Sequence, residues 1–197
     1  LAQQEAYLVE YERKLRQDLA ALEKRLERIR RMRGFIDDSK NRIGSFWEAE
    51  LNGLYKILIL GDNVASTPRL RALVGQWGKK FPITDIGWHI RLEDAKRGSD
   101  RIPVAVGLTV IEEYVQPHQF DVSPPVIHFP GGHSVRTILA VHNPFDLRFD
   151  EIKPLFDYVN AKGYRIVSDL TGRYGGCEYE QGAAKYFFTL RVIVEKM

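Results

Sequence analysis

The chain has 197 residues, 44% of them apolar and 28% charged, with a formal net charge of +3 and a single cysteine, Cys177. These values bound it to one or two globular domains and exclude a disulfide framework and a cysteine-rich zinc site. No apolar run approaches the roughly 20 residues of a membrane span and no secretory leader is visible, so the expectation is a soluble cytoplasmic protein with no membrane partner.

The first 36 residues carry the most pronounced pattern. Leu15, Leu19, Leu22, Leu26 and Ile29 step by four, three, four and three, and Leu8 and Ile36 extend the same seven-residue register. Between them stand Glu, Lys, Arg and Gln, which favour helix and suit a solvated face. This spacing predicts a dimerisation coiled coil over residues 1–36, with Leu8, Leu15, Leu19, Leu22, Leu26 and Ile29 at a homodimer interface. The alternative is a helix that folds back on its own domain. The chain opens with Leu1 inside the pattern and without a capping residue, which predicts a helix continuing from a preceding segment.

The charge is unevenly distributed. Residues 1–42 hold eleven Lys/Arg against eight Asp/Glu, while the remainder holds 18 of each. The basic excess is densest from Lys24 to Arg33 (Lys24, Arg25, Arg28, Arg30, Arg31, Arg33), where it alternates with acids as a coiled-coil flank does. The balanced charge of the rest carries no electrostatic footprint for DNA or RNA.

After Gly34, residues 37–44 are expected to form a polar hinge. A strand over 55–60 ends at Gly61-Asp62-Asn63, and Thr67 followed by Pro68 marks a helix start. Leu70, Leu73, Val74 and Trp77 continue that helix to Gly78. Alternation over 83–92 puts Ile86, Trp88, Ile90 and Leu92 on one strand face, and a turn at 96–100 leads to a returning strand over 103–113. Gly131-Gly132 predicts a hairpin turn. A strand over 134–141 then ends at His142-Asn143-Pro144, a helix carries Ile152, Leu155, Phe156 and Val159 to Gly163, and two strands occupy 164–170 and 185–194.

Strand, helix, strand, strand therefore occurs twice at a spacing of roughly 80 residues, with Asn63 and Asn143 ending the first strands. The fold class is α+β: a long N-terminal helix, then a duplicated β-α-β-β domain over 45–197, with repeats at about 45–115 and 125–197. Two such units can place their helices on one side of two sheets and leave a groove between them, a natural ligand site.

The segments Phe129-Pro130-Gly131-Gly132-His133, His142-Asn143-Pro144, 163–169 and 186–195 resemble the GyrI-like effector-binding domain, and more narrowly the drug-sensing half of MerR-family transcription regulators of the BmrR-like kind. The long helix stands where those regulators place their antiparallel dimerisation helix. The resemblance implies a multidrug or small-molecule pocket in a dimeric regulator that meets DNA only through a helix-turn-helix absent from this chain. It places Phe149 and Tyr186 at aromatic cage positions. The glutamate that holds lipophilic cations in BmrR-like members falls on Gly172, so Glu178 or Asp169 must substitute, or the effector is neutral or anionic.

The remaining candidates have two readings each. Trp88 suits core packing or pocket lining; Tyr174 and Tyr179, flanking Gly175-Gly176-Cys177, suit a surface loop or a cover over a ligand; Arg173 suits a solvated position or an anion contact. Trp88, Phe149, Arg173, Tyr174, Glu178 and Tyr186 form the expected ligand site. His128 and His133 are expected to face one another across the hairpin, but with His142 they lack the donors of a metal site, and none is assigned. The adjacent Glu112 and Glu113 point to opposite strand faces, and no nucleophile motif is present, so the expectation is no catalysis and no cofactor. The rival reading is a stand-alone GyrI-like small-molecule-binding or hydrolytic protein. A third is a SOUL-like haem binder with His89 or His118 as ligand.

Overall fold

The computed structural model describes residues 2–61, 64–145, 147–180 and 182–197, with side chains left outside the description at 2, 3, 21, 24, 25, 28, 31, 32, 35, 36, 38–40 and 180. Asn63 and the side chains of Ile36, Lys24, Arg25, Arg28 and Arg31 therefore lie outside the described residues.

Helix α1 runs Ala2–Arg42 and includes Gly34. One glycine costs a helix about 1 kcal/mol relative to alanine, too little to stop one of this length. The helix thus absorbs most of the expected hinge, and the chain leaves it at Gly44, which has φ +71°. Leu8, Leu15, Leu19, Leu22, Leu26 and Ile29 are between 47% and 63% exposed, so the seam is not covered by the chain's own domain.

Strands β1 (Phe46–Leu51) and β2 (Leu54–Leu60) precede α2 (Pro68–Gly78), β3 (Asp85–Ile90), a short α3 (Leu92–Lys96) and β4 (Ala105–Ile111). Then follow β5 (Ile127–Phe129), β6 (Gly132–Val141), α4 (Phe149–Ala161), β7 (Tyr164–Ile166), β8 (Leu170–Glu180) and β9 (Ala183–Lys196). Within one nine-stranded sheet the order is β1-β6-β9-β8-β3-β4-β2-β5, with β7 added to β9. The duplication is visible in this order. The unit β2-α2-β3-β4 pairs its last strand with both others, and so does β6-α4-β8-β9. The two units meet where β3 runs antiparallel to β8, Gly87 opposite Arg173 and Ile90 opposite Leu170. They share one sheet, where two were expected.

Gly131-Gly132 does not turn a hairpin. β5 pairs with β2, while β6 pairs with β1 and β9. Only Asn52 and Gly53 separate β1 from β2, and only Pro130 and Gly131 separate β5 from β6. The two ladders share one register: Phe46 faces Thr137, Leu51 faces Gly132, Leu54 faces Phe129 and Lys56 faces Ile127. One interrupted ladder therefore joins the two ends of the strand order, and the sheet closes on itself. Where the segments cross, a Cβ on Gly131 would collide with the Leu51 carbonyl oxygen, so the backbones approach as only glycine permits. For the same reason His128 and His133 belong to different strand pairs. His128 stacks on Tyr55 at 4.5 Å, and His133 lies 3.1 Å from both Glu48 and Glu50.

Helices α2 and α4 cover the outer face. Thr67 caps α2 by accepting from the Leu70 amide at 3.1 Å, with Pro68 in the first turn as expected. Leu70, Leu73 and Trp77 pack on Ile57 and Val110. Trp77 sets its edge on Phe120, and its Nε1 donates to the Asp121 carbonyl at 3.2 Å. Ile152, Leu155 and Val159 of α4 pack on Trp88, Leu139, Phe188 and Leu190. Strand alternation then directs the intervening residues inward.

These caps and cores set a scale for stability. Thr67→Ala should lower unfolding free energy by about 1 kcal/mol, and Ile152→Ala, which empties a fully buried site, by about 2–5 kcal/mol. Urea denaturation of the two variants checks both, and equal losses would contradict the assigned roles.

Candidate functional site

The inner face of the sheet is polar and basic. Across four neighbouring strands, Trp47, Arg136, Arg191 and Thr171 stand opposite one another in sequence. In the next row Thr189 faces Arg173, and Arg173 faces Gly87. Trp47, Arg136, Arg191, Thr171, Thr189 and Arg173, together with Asp85, Thr109 and the apolar Leu51, Leu54 and Ile111, line a groove of about 310 Å³.

The charges in it are unequally matched. The Arg173 guanidinium holds the Asp85 carboxylate at 2.6 Å. Arg191 Nε donates to Thr171 Oγ1 at 2.9 Å. Arg136 Nε and Thr109 Oγ1 are buried and have no hydrogen-bond partner among the described residues. Neither Arg136 nor Arg191 makes an ion pair among the described residues. Burial, then repulsion from Arg136 and Arg173, lowers the Arg191 pKa to about 10; burial and then Arg173 lower that of Arg136.

Lys56 lies under this groove and is 0% exposed. Its Nζ donates to the Trp88 carbonyl and stands 5.4 Å from the Phe129 ring centroid. Burial, with a contribution from Arg191, pushes its pKa well below the ordinary lysine value. Gly87 makes the room: a Cβ there would collide with Thr109 Oγ1 and meet Lys56 Cε at 3.4 Å.

Further along the inner face, His89 Nε2 lies 2.8 Å from Asp169, whose other oxygen accepts from the Leu92 amide at 2.9 Å. Burial lowers the His89 pKa, opposed by the Asp169 hydrogen bond. Among the described residues no hydroxyl or thiol hydrogen-bonds to His89. No group of three His, Cys, Asp or Glu suited to a metal ion occurs among the described residues.

The structure divides the six expected site residues. Arg173 lines the groove. Trp88, 1% exposed, stacks on Phe188 in the core beneath α4. Phe149, Tyr174 and Tyr186 pack against that same core, so these four aromatics lie on the opposite side of the sheet from Arg173. Glu178 is exposed on β8 opposite Lys185. The segment 174–179, expected as a loop, belongs to β8, with a bulge between Tyr174 and Gly176 that absorbs the glycines. An acid at position 172 is excluded sterically, because a Cβ there would lie 2.5 Å from the Thr189 carbonyl oxygen.

Arg136, Arg191 and Lys56 are absent from the sequence-based site. Their signal was a single basic residue inside an otherwise apolar strand, as in Thr189-Leu190-Arg191-Val192-Ile193 and Tyr55-Lys56-Ile57. A charge at such a position faces either solvent or an enclosed polar space, and strand pairing alone distinguishes the two.

No protein-family profile matches the chain, and no curated protein matches it. Among solved structures, the C-terminal domain of EcmrR is 14% identical, covering 78% of this chain and 97% of that one at a TM-score of 0.46. A hydrolase encoded by lin2189 from Listeria innocua is 12% identical, covering 82% and 98% at 0.45. An EcmrR–DNA complex is 14% identical, covering 94% and 69% at 0.44. Likeness at this level carries no functional argument.

Lys56 gives a test of the inner face. Its depressed pKa means that unfolding takes up a proton between that pKa and the ordinary value of 10.5, so stability should rise with pH through this window. Lys56→Met should stabilise the protein by roughly 1–3 kcal/mol at neutral pH and flatten that rise. Thermal unfolding from pH 7 to 10.5 measures both, and an unchanged slope would place Lys56 in water.

Proposed function

We propose that this chain is the effector-sensing and subunit-joining part of a MerR-family transcription regulator with a GyrI-like domain. The observation that carries this reading is an uncovered heptad seam on a 41-residue helix that leads directly into a closed sheet with a groove inside. A solvated helix of this length needs a partner for its apolar stripe, and a second copy presents a matching one.

The segments that resemble the family fall at structurally telling places. His142-Asn143-Pro144 follows β6, residues 163–169 enter β8 through β7, and residues 186–195 lie within β9, which bears Thr189 and Arg191 in the groove. The groove also borders the helix. Arg42, the last residue of α1, stands over the Trp47 ring at 5.4 Å, and Trp47 faces Arg136. Helix α1 also touches β6 and β8, which carry Arg136 and Arg173. A small molecule in the groove thereby biases the base of the helix, and through it the arrangement of two subunits, as a ligand-driven switch requires.

Sedimentation tests the subunit-joining half of this reading. The chain should sediment as a dimer, and the double variant Leu19→Lys/Leu22→Lys as a monomer with an unchanged sheet domain by circular dichroism. A dimer that survives both lysines would refute the seam as the interface.

A further inference from the structure

We infer that the groove takes an amphipathic organic oxyanion, a carboxylate or phosphate ester on a compact apolar body, with its headgroup held between Arg136 and Arg191. This rests on the reading of the groove as the effector site and names the chemistry of its ligand.

The charge balance inside the sheet carries the inference. Arg136, Arg173 and Arg191 supply three basic groups along the groove. Of the acids, Asp85 is engaged by Arg173, and Glu50, at the rim, bonds to His133 at 3.1 Å. Arg136 and Arg191 then stand directly opposite each other on β6 and β9 with no carboxylate between them among the described residues. Like charges at opposed positions of an antiparallel pair destabilise it, and partial burial removes the water that would screen them. The buried Arg136 Nε has no acceptor among the described residues. An oxyanion placed between the two guanidinium groups removes the repulsion. Two guanidinium groups side by side on one sheet face suit a carboxylate or phosphate, which accepts charge-assisted hydrogen bonds from both.

The remaining walls define the rest of the ligand. Trp47, Leu51, Leu54 and Ile111 offer an apolar surface beside the arginines, and the volume of about 310 Å³ suits a body of one or two fused rings. Cationic ligands meet here the guanidinium groups of Arg136 and Arg191, which make no ion pair among the described residues.

Titration of the full chain with four naphthalene probes tests this, following tryptophan emission: 2-naphthoate, 2-naphthyl phosphate, the neutral 2-naphthamide and the cationic 2-naphthylmethylammonium. At least one oxyanion should bind about tenfold or more tightly than the amide, with the cation weakest, and the order of the two oxyanions assigns the headgroup. Arg136→Gln and Arg191→Gln should each weaken oxyanion binding about ten- to hundredfold and leave the amide unchanged. Thr189→Tyr, which fills the groove, should abolish all binding. Arg191→Lys, which retains charge and packing, should cost severalfold and stays informative if Thr189→Tyr fails to fold. Tighter binding of the cation, lost in Thr189→Tyr, would overturn the anion inference and leave the groove as the site. Affinities unchanged in every variant, or no binding of any probe near about 1 mM, would overturn the groove itself.

Discussion

The register shared by the β1–β6 and β2–β5 ladders is the constraint on which the molecule depends. Each ladder is short, and two residues on each segment separate one from the other. Because both keep the same pairing, they act as one long antiparallel contact and bring together the ends of a strand order that would otherwise leave two open edges. Unpaired edges invite association with other chains, and closure removes that liability. Closure also gives the sheet an inside, so strand alternation sorts residues between two apolar cores under the helices and one enclosed polar face.

That enclosed face carries a cost that the rest of the fold must offset. Lys56, Thr109, Arg136, Arg173 and Arg191 occupy positions where alternation leaves no outward choice, and their groups can be satisfied only by one another, by backbone or by a ligand. Asp85 holds Arg173, Thr171 holds Arg191 and the Trp88 carbonyl holds Lys56. These contacts satisfy hydrogen bonds and leave an excess of positive charge. Residues arranged against stability in this way are typical of binding sites rather than of scaffolding. The two outer cores, with Trp77, Trp88, Ile152 and Leu155 fully buried, are the source of the stability that tolerates it.

The pseudo-twofold arrangement explains why the groove lies where it does. The two repeats meet at β3 and β8, and their inward residues at this junction are Asp85 and Gly87 from one repeat and Thr171 and Arg173 from the other. Neither repeat alone assembles the groove. The same junction stands near β1, which follows directly from α1, so the groove and the long helix are separated by little more than Arg42, Trp47 and Arg136. A short path between two elements with separate duties suits coupling between them.

The amino-acid sequence by itself determined the long helix, its heptad seam, the Thr67-Pro68 helix start, the helix before Gly163 and the twofold repetition of strand, helix, strand, strand. All of these rest on local periodicity, capping chemistry and turn residues, which act within a few positions along the chain. Tertiary structure alone decided that Gly34 lies within the helix, that 174–179 is strand, that Gly131-Gly132 is a crossing rather than a hairpin, and that one sheet closes where two were expected. It also decided which candidate residues come together. Trp88, Phe149, Tyr174 and Tyr186 are aromatic and periodic in ways that suit a core and a pocket equally, and packing against α4 placed them in or against the core. Arg136 and Arg191 lie 55 positions apart. They become neighbours only through the β6–β9 register, a long-range pairing that no local signal specifies.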